Sequence, residues 1–399
     1  MHTRTSRRTG ADAGTLAPVV RPLLRLSAPS LLRALSSSLP VLLFGALALP
    51  VSGAADEVAL GGFVRTDTDG TTVLAPRVRT AVLLDEDRTR VEAAYTADIW
   101  TSASIDIRTA ATHAVHEQRD ELSVSISREL DETTLGGGYR LSIEPDYVSH
   151  GGSLRIAQEL GEGAATVEAA LSASYDVVGR SNDPTFARAL ATVGLRTTYT
   201  QILDARTILQ GTYEISRYDG YLSSPYRFVG IGGDGLCAGT AVLCLPENAP
   251  GLRTRHALAV RFKRSLGAGG SVGATYRLYL DDWGLVSHTV LASGAWLPFE
   301  HTTLSLGYRF YRQSAATFYR ARYPDPTSQI LYVTRDKELS ALFTHRLELS
   351  WEQRVDLTEA GPELRTTVVV GGALLSYDDF VGLDTVYALD VTLAAEVTL

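Results

Sequence analysis

The chain has 399 residues, 45% of them apolar, and a formal charge of −8, enough for one large barrel or two ordinary domains. Beyond the N-terminal region no apolar run reaches the roughly eighteen residues a membrane helix needs, which excludes a helical membrane protein. Residues 56–399 carry 31 basic and 44 acidic side chains, net −13, a balance that argues against nucleic acid as a partner.

Residues 1–55 read as a signal peptide. Arg4, Arg7, Arg8, Arg21, Arg25 and Arg33 form a basic region, 39–49 (LPVLLFGALAL) a short apolar core, and Ser52, Gly53, Ala54 and Ala55 a small-residue site with cleavage near Ala54 or Ala55. Arg7 and Arg8 stand too far before the apolar core for a twin-arginine signal, and a barrel must cross the inner membrane unfolded.

From residue 56 on, strands and turns succeed one another. Segments 60–66 and 72–83 read as a hairpin across 67–70; counting both gives 16 strands and counting neither gives 14, with 16 preferred. Val91, Ala93, Tyr95, Ala97 and Ile99 alternate with Arg90, Glu92, Thr96 and Asp98, and the same period returns over 166–176, 303–310 and 339–352. At the end of the chain Tyr387, Leu389, Val391, Leu393, Ala395, Val397 and Leu399 alternate with Asp390, Thr392, Glu396 and Thr398. Long strands with one apolar and one polar face are the mark of a membrane β-barrel, lipid outside and lumen inside. The expected class is therefore all-β: an antiparallel transmembrane barrel over 56–399, in the outer membrane of a Gram-negative bacterium. Its implied contacts are outer-membrane lipid, lipopolysaccharide and the barrel-assembly machinery that reads a closing strand, here ending on Leu399 where an aromatic residue is usual.

Short connections are expected at 131–133, 161–163, 203–205, 267–270 and 298–301, and long ones at 101–119, 145–152, 179–186, 219–252 and 314–336. With the C-terminus in the periplasm, counting back puts every long connection outside the cell. The inward parity carries Arg188, Arg196, Arg261, Lys263, Arg277, Arg309 and Arg346 against Glu168, Asp176, Glu348 and Asp390, a lining that either conducts polar solutes or pairs up and closes. Trp100, Tyr147, Tyr218, Trp283, Trp296 and Trp351 are expected in interfacial girdles.

Residues 219–252 form the most function-like connection, because loops of this length are usually functional or disordered. Asp219, Tyr221, Pro225, Tyr226 and Arg227 are its candidate gating residues, and Cys237 and Cys244 are the only cysteines. In an oxidising envelope the pair is expected as a disulfide, with a metal pair or free thiols the alternatives. Either the loop folds into or over the lumen and sets what passes, or it only screens the surface. His113 and His116 near Glu117 and Asp120 lack a third ligand at fixed spacing, and the acids at 67–70, 85–87 and 281–282 lack the rest of a calcium loop. Ser149-His150 and Ser287-His288 are adjacent strand residues pointing to opposite faces, so neither can be a nucleophile and its base. GIGGDG at 230–235 opens a cysteine-containing loop instead of a helix, so no nucleotide fingerprint exists. Neither a catalytic role nor a cofactor is expected.

Three stretches carry more detail than a barrel needs: DGYLSSPYR at 219–227, YRLYLDDWGLVSHT at 276–289 and YRFYRQSAATFY at 308–319, with weaker companions at 95–107 and 144–150. They resemble the bacterial outer-membrane barrel family catalogued as domain of unknown function three-five-seven-zero, from about residue 72 to the C-terminus. The resemblance supplies no catalytic or ligand-binding residue. It implies a loose link, through neighbouring genes, to thioredoxin-like and flavin-attaching envelope proteins. Two functions follow as expectations: a porin-like channel or uptake conduit for a small solute, or a non-conducting barrel anchoring a redox-linked envelope complex.

Overall fold

A computed structural model of the chain describes residues 56–102, 115–181, 183–324, 331–358 and 361–399. The expected signal peptide at 1–55 lies outside them. The first hairpin is β1 (Glu57–Asp67) and β2 (Thr71–Leu84). Then come β3 (Thr89–Ser102), β4 (Val115–Leu130), β5 (Thr133–Glu144), β6 (Tyr147–Leu160), β7 (Ala165–Val178), β8 (Arg188–Asp204) and β9 (Thr207–Gly220). A separate small hairpin, β10 (Phe228–Ile231) and β11 (Leu243–Pro246), interrupts the series. The wall resumes with β12 (Leu252–Gly267), β13 (Gly270–Asp281), β14 (Val286–Phe299), β15 (Thr302–Gln313), β16 (Leu342–Asp356), β17 (Glu363–Tyr377) and β18 (Thr385–Thr398).

Every wall strand pairs antiparallel with its neighbours, β9 with β12 across the hairpin and β18 with β1, so 16 strands close on themselves. Closure leaves no unpaired strand edge, the condition for standing in a bilayer. It runs from Glu57 opposite Thr398 to Asp67 opposite Ala388, and Leu399 N donates to Asp56 O at 2.8 Å to end the seam.

Apart from bulges near the ends of β8, β12 and β14, the register sorts side chains by parity. One face exposes large apolar groups, with Leu154 at 65%, Leu349 at 58% and Leu393 at 51% of full exposure, an inversion of soluble proteins that lipid explains. The other face carries an ion-pair lattice: Arg90–Glu57 at 2.7 Å, Arg79–Glu396 at 3.1 Å, Arg140–Glu121 at 3.0 Å and Arg155–Glu168 at 2.6 Å. The chain is an outer-membrane β-barrel, since single-chain antiparallel barrels with an even strand number and an apolar exterior stand in that membrane.

One end has short connections, with tight turns at Asp131 (φ 54°) and Gly267–Ala268–Gly269 (φ 77°, 45° and 76°). The end with the long loops is the extracellular one by the same rule. Three connections there are nonetheless short: 68–70, 145–146 and 282–285. The expected long loop at 145–152 is thus corrected, because β6 begins at Tyr147. Gly151 and Gly152 suggested a loop, but they stand in the wall, and a Cβ on Gly151 would lie 3.7 Å from the Arg140 guanidinium.

The girdle expectation also needs correction. Trp296 (56% exposed) and Trp351 (39%) are on the outer face, both paired with Leu304 near the periplasmic turns. Tyr147 faces inward and donates to Asp176 at 2.6 Å, Tyr218 lies under Arg255, and Trp283 is buried in the external loops. Trp100 shares the parity of Asp98, which pairs with Arg119 on the inner lattice.

Candidate functional site

The two longest external connections fold together across the mouth through 221–251 and, of the second, the described residues 314–324 and 331–341. Backbone bridges join Ile231 to Tyr323 and Asn248 to Val333. Val229, Ile231, Tyr323 and Val333 make a buried cluster, none above 4% exposed. A polar seam runs beside it. Glu247 accepts from Ser224 N at 2.6 Å and the Thr334 hydroxyl at 2.5 Å and pairs with Arg227 at 3.2 Å, while Arg227 reaches Asp336 at 3.3 Å. A second cluster seats this plug on the wall: Trp283, Leu285, Ala316, Tyr319 and Leu339 pack with Leu342, Tyr377, Phe380 and Val386. Lys337 crosses to Asp69 of the β1–β2 turn at 2.6 Å. Burial pushes the phenols of Tyr319 and Tyr323 above their ordinary range. Cys237 and Cys244 form a disulfide with Cα atoms 5.6 Å apart, tying the tip of the β10–β11 hairpin to β11.

Under the plug lies a cavity of about 1030 Å³. Leu222, Glu247 and Ala249 of the first loop and Asp336, Lys337, Glu338 and Leu339 of the second roof it, and Arg65, Arg255, Arg277, Arg309, Arg346 and Asp390 belong to its wall. Arg346 bonds both oxygens of Asp390, one at 2.8 Å, and Glu348 at 2.9 Å. Gly371 sits between them: a Cβ there would stand 2.4 Å from the Arg346 guanidinium and 2.6 Å from the Asp390 carboxylate. Arg277 shares Glu214 (3.6 Å) with Arg196. Arg65, Arg255 and Arg309 have no ion-pair partner among the described residues, and the Nε of Arg255 is buried without a hydrogen bond.

The Tyr-Arg-x-Tyr stretches now have a physical reading. Arg277 stands 5.8 Å from the Tyr279 ring and Arg309 5.5 Å from that of Tyr311, all inward. The leading tyrosines point outward, and each reaches a histidine of the next strand: Tyr276 Oη to His288 Nδ1 at 2.7 Å and Tyr308 Oη to His345 Nδ1 at 2.7 Å. Tyr139–His150 (2.7 Å) and Tyr213–His256 (2.8 Å) repeat the arrangement. Four of the eight histidines therefore form an outer belt with tyrosine, towards the long-loop end. Sequence reasoning missed these pairs; the available signal was the recurrence of Tyr-Arg on ascending strands with histidines on the lipid-facing parity.

The structure brings some of the sequence-named residues together and disperses others. Arg188, Arg196, Arg261, Lys263, Arg277, Arg309, Arg346 and Glu348 all share the inward parity, but Arg188 stacks on Phe186 (4.8 Å) at the rim. Of the loop residues, Asp219 is the penultimate residue of β9 on the outward parity, Tyr221 meets the Phe186 ring at 5.6 Å, and Tyr226 bonds Asp146 and Ser181 N. These residues and Arg227 moor the loop, while Leu222, Glu247 and Ala249 line the cavity. Pro225 stands in the bend before β10. The histidine pair 113 and 116 lies outside the described residues, His116 by its side chain. Glu117 gathers instead with Glu144 and Asp146, one carboxylate oxygen of each within 4.8 Å of the others. Of the turn acids, Asp67 accepts Asp69 N and Thr71 N, Asp85 accepts from the Thr89 hydroxyl, Asp281 pairs with Arg253 at 2.6 Å, and Asp282 accepts Thr254 N. Ser149 and Ser287 are buried inward and away from their outward histidines.

A family described as Protein of unknown function (DUF3570) matches residues 109–361. The chain belongs to that family. No curated protein sequence matches it. Among solved structures, a bacterial polysaccharide outer membrane secretin is similar at 8% identity and a TM-score of 0.51, over 86% of this chain and 98% of that one. OccD1 (OprD) aligns at 9% identity and 0.44 over 88% and 97%, and CdiB from Acinetobacter baumannii at 10% and 0.47 over 85%. The chain spans 60% of the length of CdiB. The likeness is one of fold.

Proposed function

We propose that this barrel is a porin-like conduit for a small solute, screened at its outer mouth by the folded plug. The observation that carries this reading is a chain of cavities along one wall. The cavity under the plug shares Arg309 and Arg346 with a second of about 520 Å³ that reaches Arg261 and Lys263. Sixteen strands enclose enough width for an aqueous path. Passage is by diffusion past Leu222, Glu247 and Ala249, with the Cys237–Cys244 bridge stiffening the roof. Residues 1–55 act as the export signal, and the barrel machinery inserts the product into a membrane faced with lipopolysaccharide.

The two buried clusters that lock the plug favour a second reading: a sealed barrel that anchors an envelope partner of the thioredoxin-like or flavin-carrying kind. Purified protein in planar bilayers separates the two. Stepwise conductance that grows when 232–245 is deleted supports the conduit. A silent barrel that stays silent after the deletion rules it out.

A further inference from the structure

Residues 56–399 are acidic overall, yet the cavities on the β12–β16 side are not. The lining under the plug holds seven basic and five acidic side chains, and the one below it four basic and one acidic. The acids are also largely engaged: Asp390 by Arg346, Glu247 by Arg227, and Asp67 by the amides of its own turn. Arg65, Arg255 and Arg309 make no ion pair among the described residues at the upper cavity, although Arg65 stands opposite Asp390 in the β1–β18 register, and Arg261 and Lys263 continue the line below. The Nε of Arg255, whose guanidinium lies 4.2 Å over the Tyr218 ring, is buried with no acceptor among the described residues. Such a donor takes an acceptor from water or from a ligand that enters the cavity.

We propose that the solute is a small oxyanion, carrying carboxylate or phosphate, held first at Arg255 and Arg309 and passed to Arg261 and Lys263. The planar guanidinium offers paired N–H donors that match two oxygens of such a group, and a water-filled cleft of one charge sign raises local anion concentration. The proposal deepens the conduit reading and rests on it for the path, while the binding site stands by itself.

Two measurements on the full-length folded protein keep them apart: reversal potential in a potassium chloride gradient, and calorimetric titration with inorganic phosphate. Each is made on the wild type and on Arg255→Gln, Arg309→Gln and Arg309→Lys, with folding checked by the band shift of unheated protein on gels. Chloride-side reversal, with saturable phosphate heat weakened about tenfold in Arg255→Gln and Arg309→Gln but largely kept in Arg309→Lys, supports the inference. An open channel with no anion preference and no phosphate heat overturns it and leaves the conduit standing. A silent barrel that binds phosphate through Arg255 does the reverse. Phosphate heat and ion preference unchanged in both glutamine variants overturn the assignment to these arginines.

Discussion

Arg309 and Arg346 stand directly opposite each other where β15 pairs with β16, two like charges as cross-strand neighbours, and only Arg346 has acids to neutralise it. Directly opposed like charges destabilise a sheet. The arrangement therefore depends on Asp390, whose side chain is 2% exposed. Asp390→Asn leaves two arginines facing each other and is expected to cost about 3 kcal/mol in denaturant unfolding from detergent micelles. Adding Arg309→Gln recovers part of that loss; full additivity of the two changes would refute the coupling.

Gly371 is expected to be intolerant for the same reason. Alanine there puts a methyl into the Arg346–Asp390 contact, so Gly371→Ala lowers the unfolding midpoint, while Gly372→Ala, with nothing within 4 Å of its Cβ, does not. Equal effects from both would show that backbone freedom, not space, is the reason for glycine.

The outer belt makes a separate forecast. Tyr276→Phe removes one hydrogen bond to His288 on the lipid face and costs about 1 kcal/mol. The double change Tyr276→Phe with His288→Phe restores most of it, because neither partner is left unsatisfied. Thermal conversion of the folded to the heated gel band reads both.

High pH bears on the plug before the wall. Burial holds the phenols of Tyr319 and Tyr323 above the usual 10.0, so their contribution is complete below that value. Above it the unfolded plug releases protons that the folded one retains, and stability drains until the folded phenols ionise. Proteolysis of 314–341 should accelerate above pH 10 while the barrel band persists. In Tyr323→Phe the pH dependence should flatten.

Reducing the disulfide acts more locally. Cys237→Ser with Cys244→Ser relaxes a closed loop and is expected to weaken the β10–β11 hairpin by about 2 kcal/mol. Limited proteolysis within 232–242 should rise sharply with the barrel's melting point unchanged. A fall in that melting point would mean the hairpin supports the wall.

The strands were legible because lipid imposes one rule on every second residue, and 387–399 obeys it at each step. The same rule placed Arg261, Lys263, Arg277, Arg309 and Arg346 on one face. It said nothing of their partners. Arg346 finds Asp390 two strands away, across Gly371, and only the combined register of β16, β17 and β18 brings them together. The expected loop at 145–152 failed because Gly151 and Gly152 stand within β6 and not in a turn. The plug was illegible for another reason: Asn248 meets Val333 through a connection with no period to read. The Tyr–His pairs fall between these cases. Those separated by 11 and 12 positions sit within single hairpins, whereas Tyr213–His256 spans 43 and needs the fold.

The belt of bonded tyrosines and histidines has a consequence for the membrane around it. A lone phenol or imidazole resists immersion in hydrocarbon, but a pair that satisfies each other's polar atoms resists it less. The barrel thus has an elastic upper waterline: in a thicker bilayer the four pairs can sink, and in a thinner one they can surface. That gives the long-loop end latitude to stay at the water interface in leaflets of differing height.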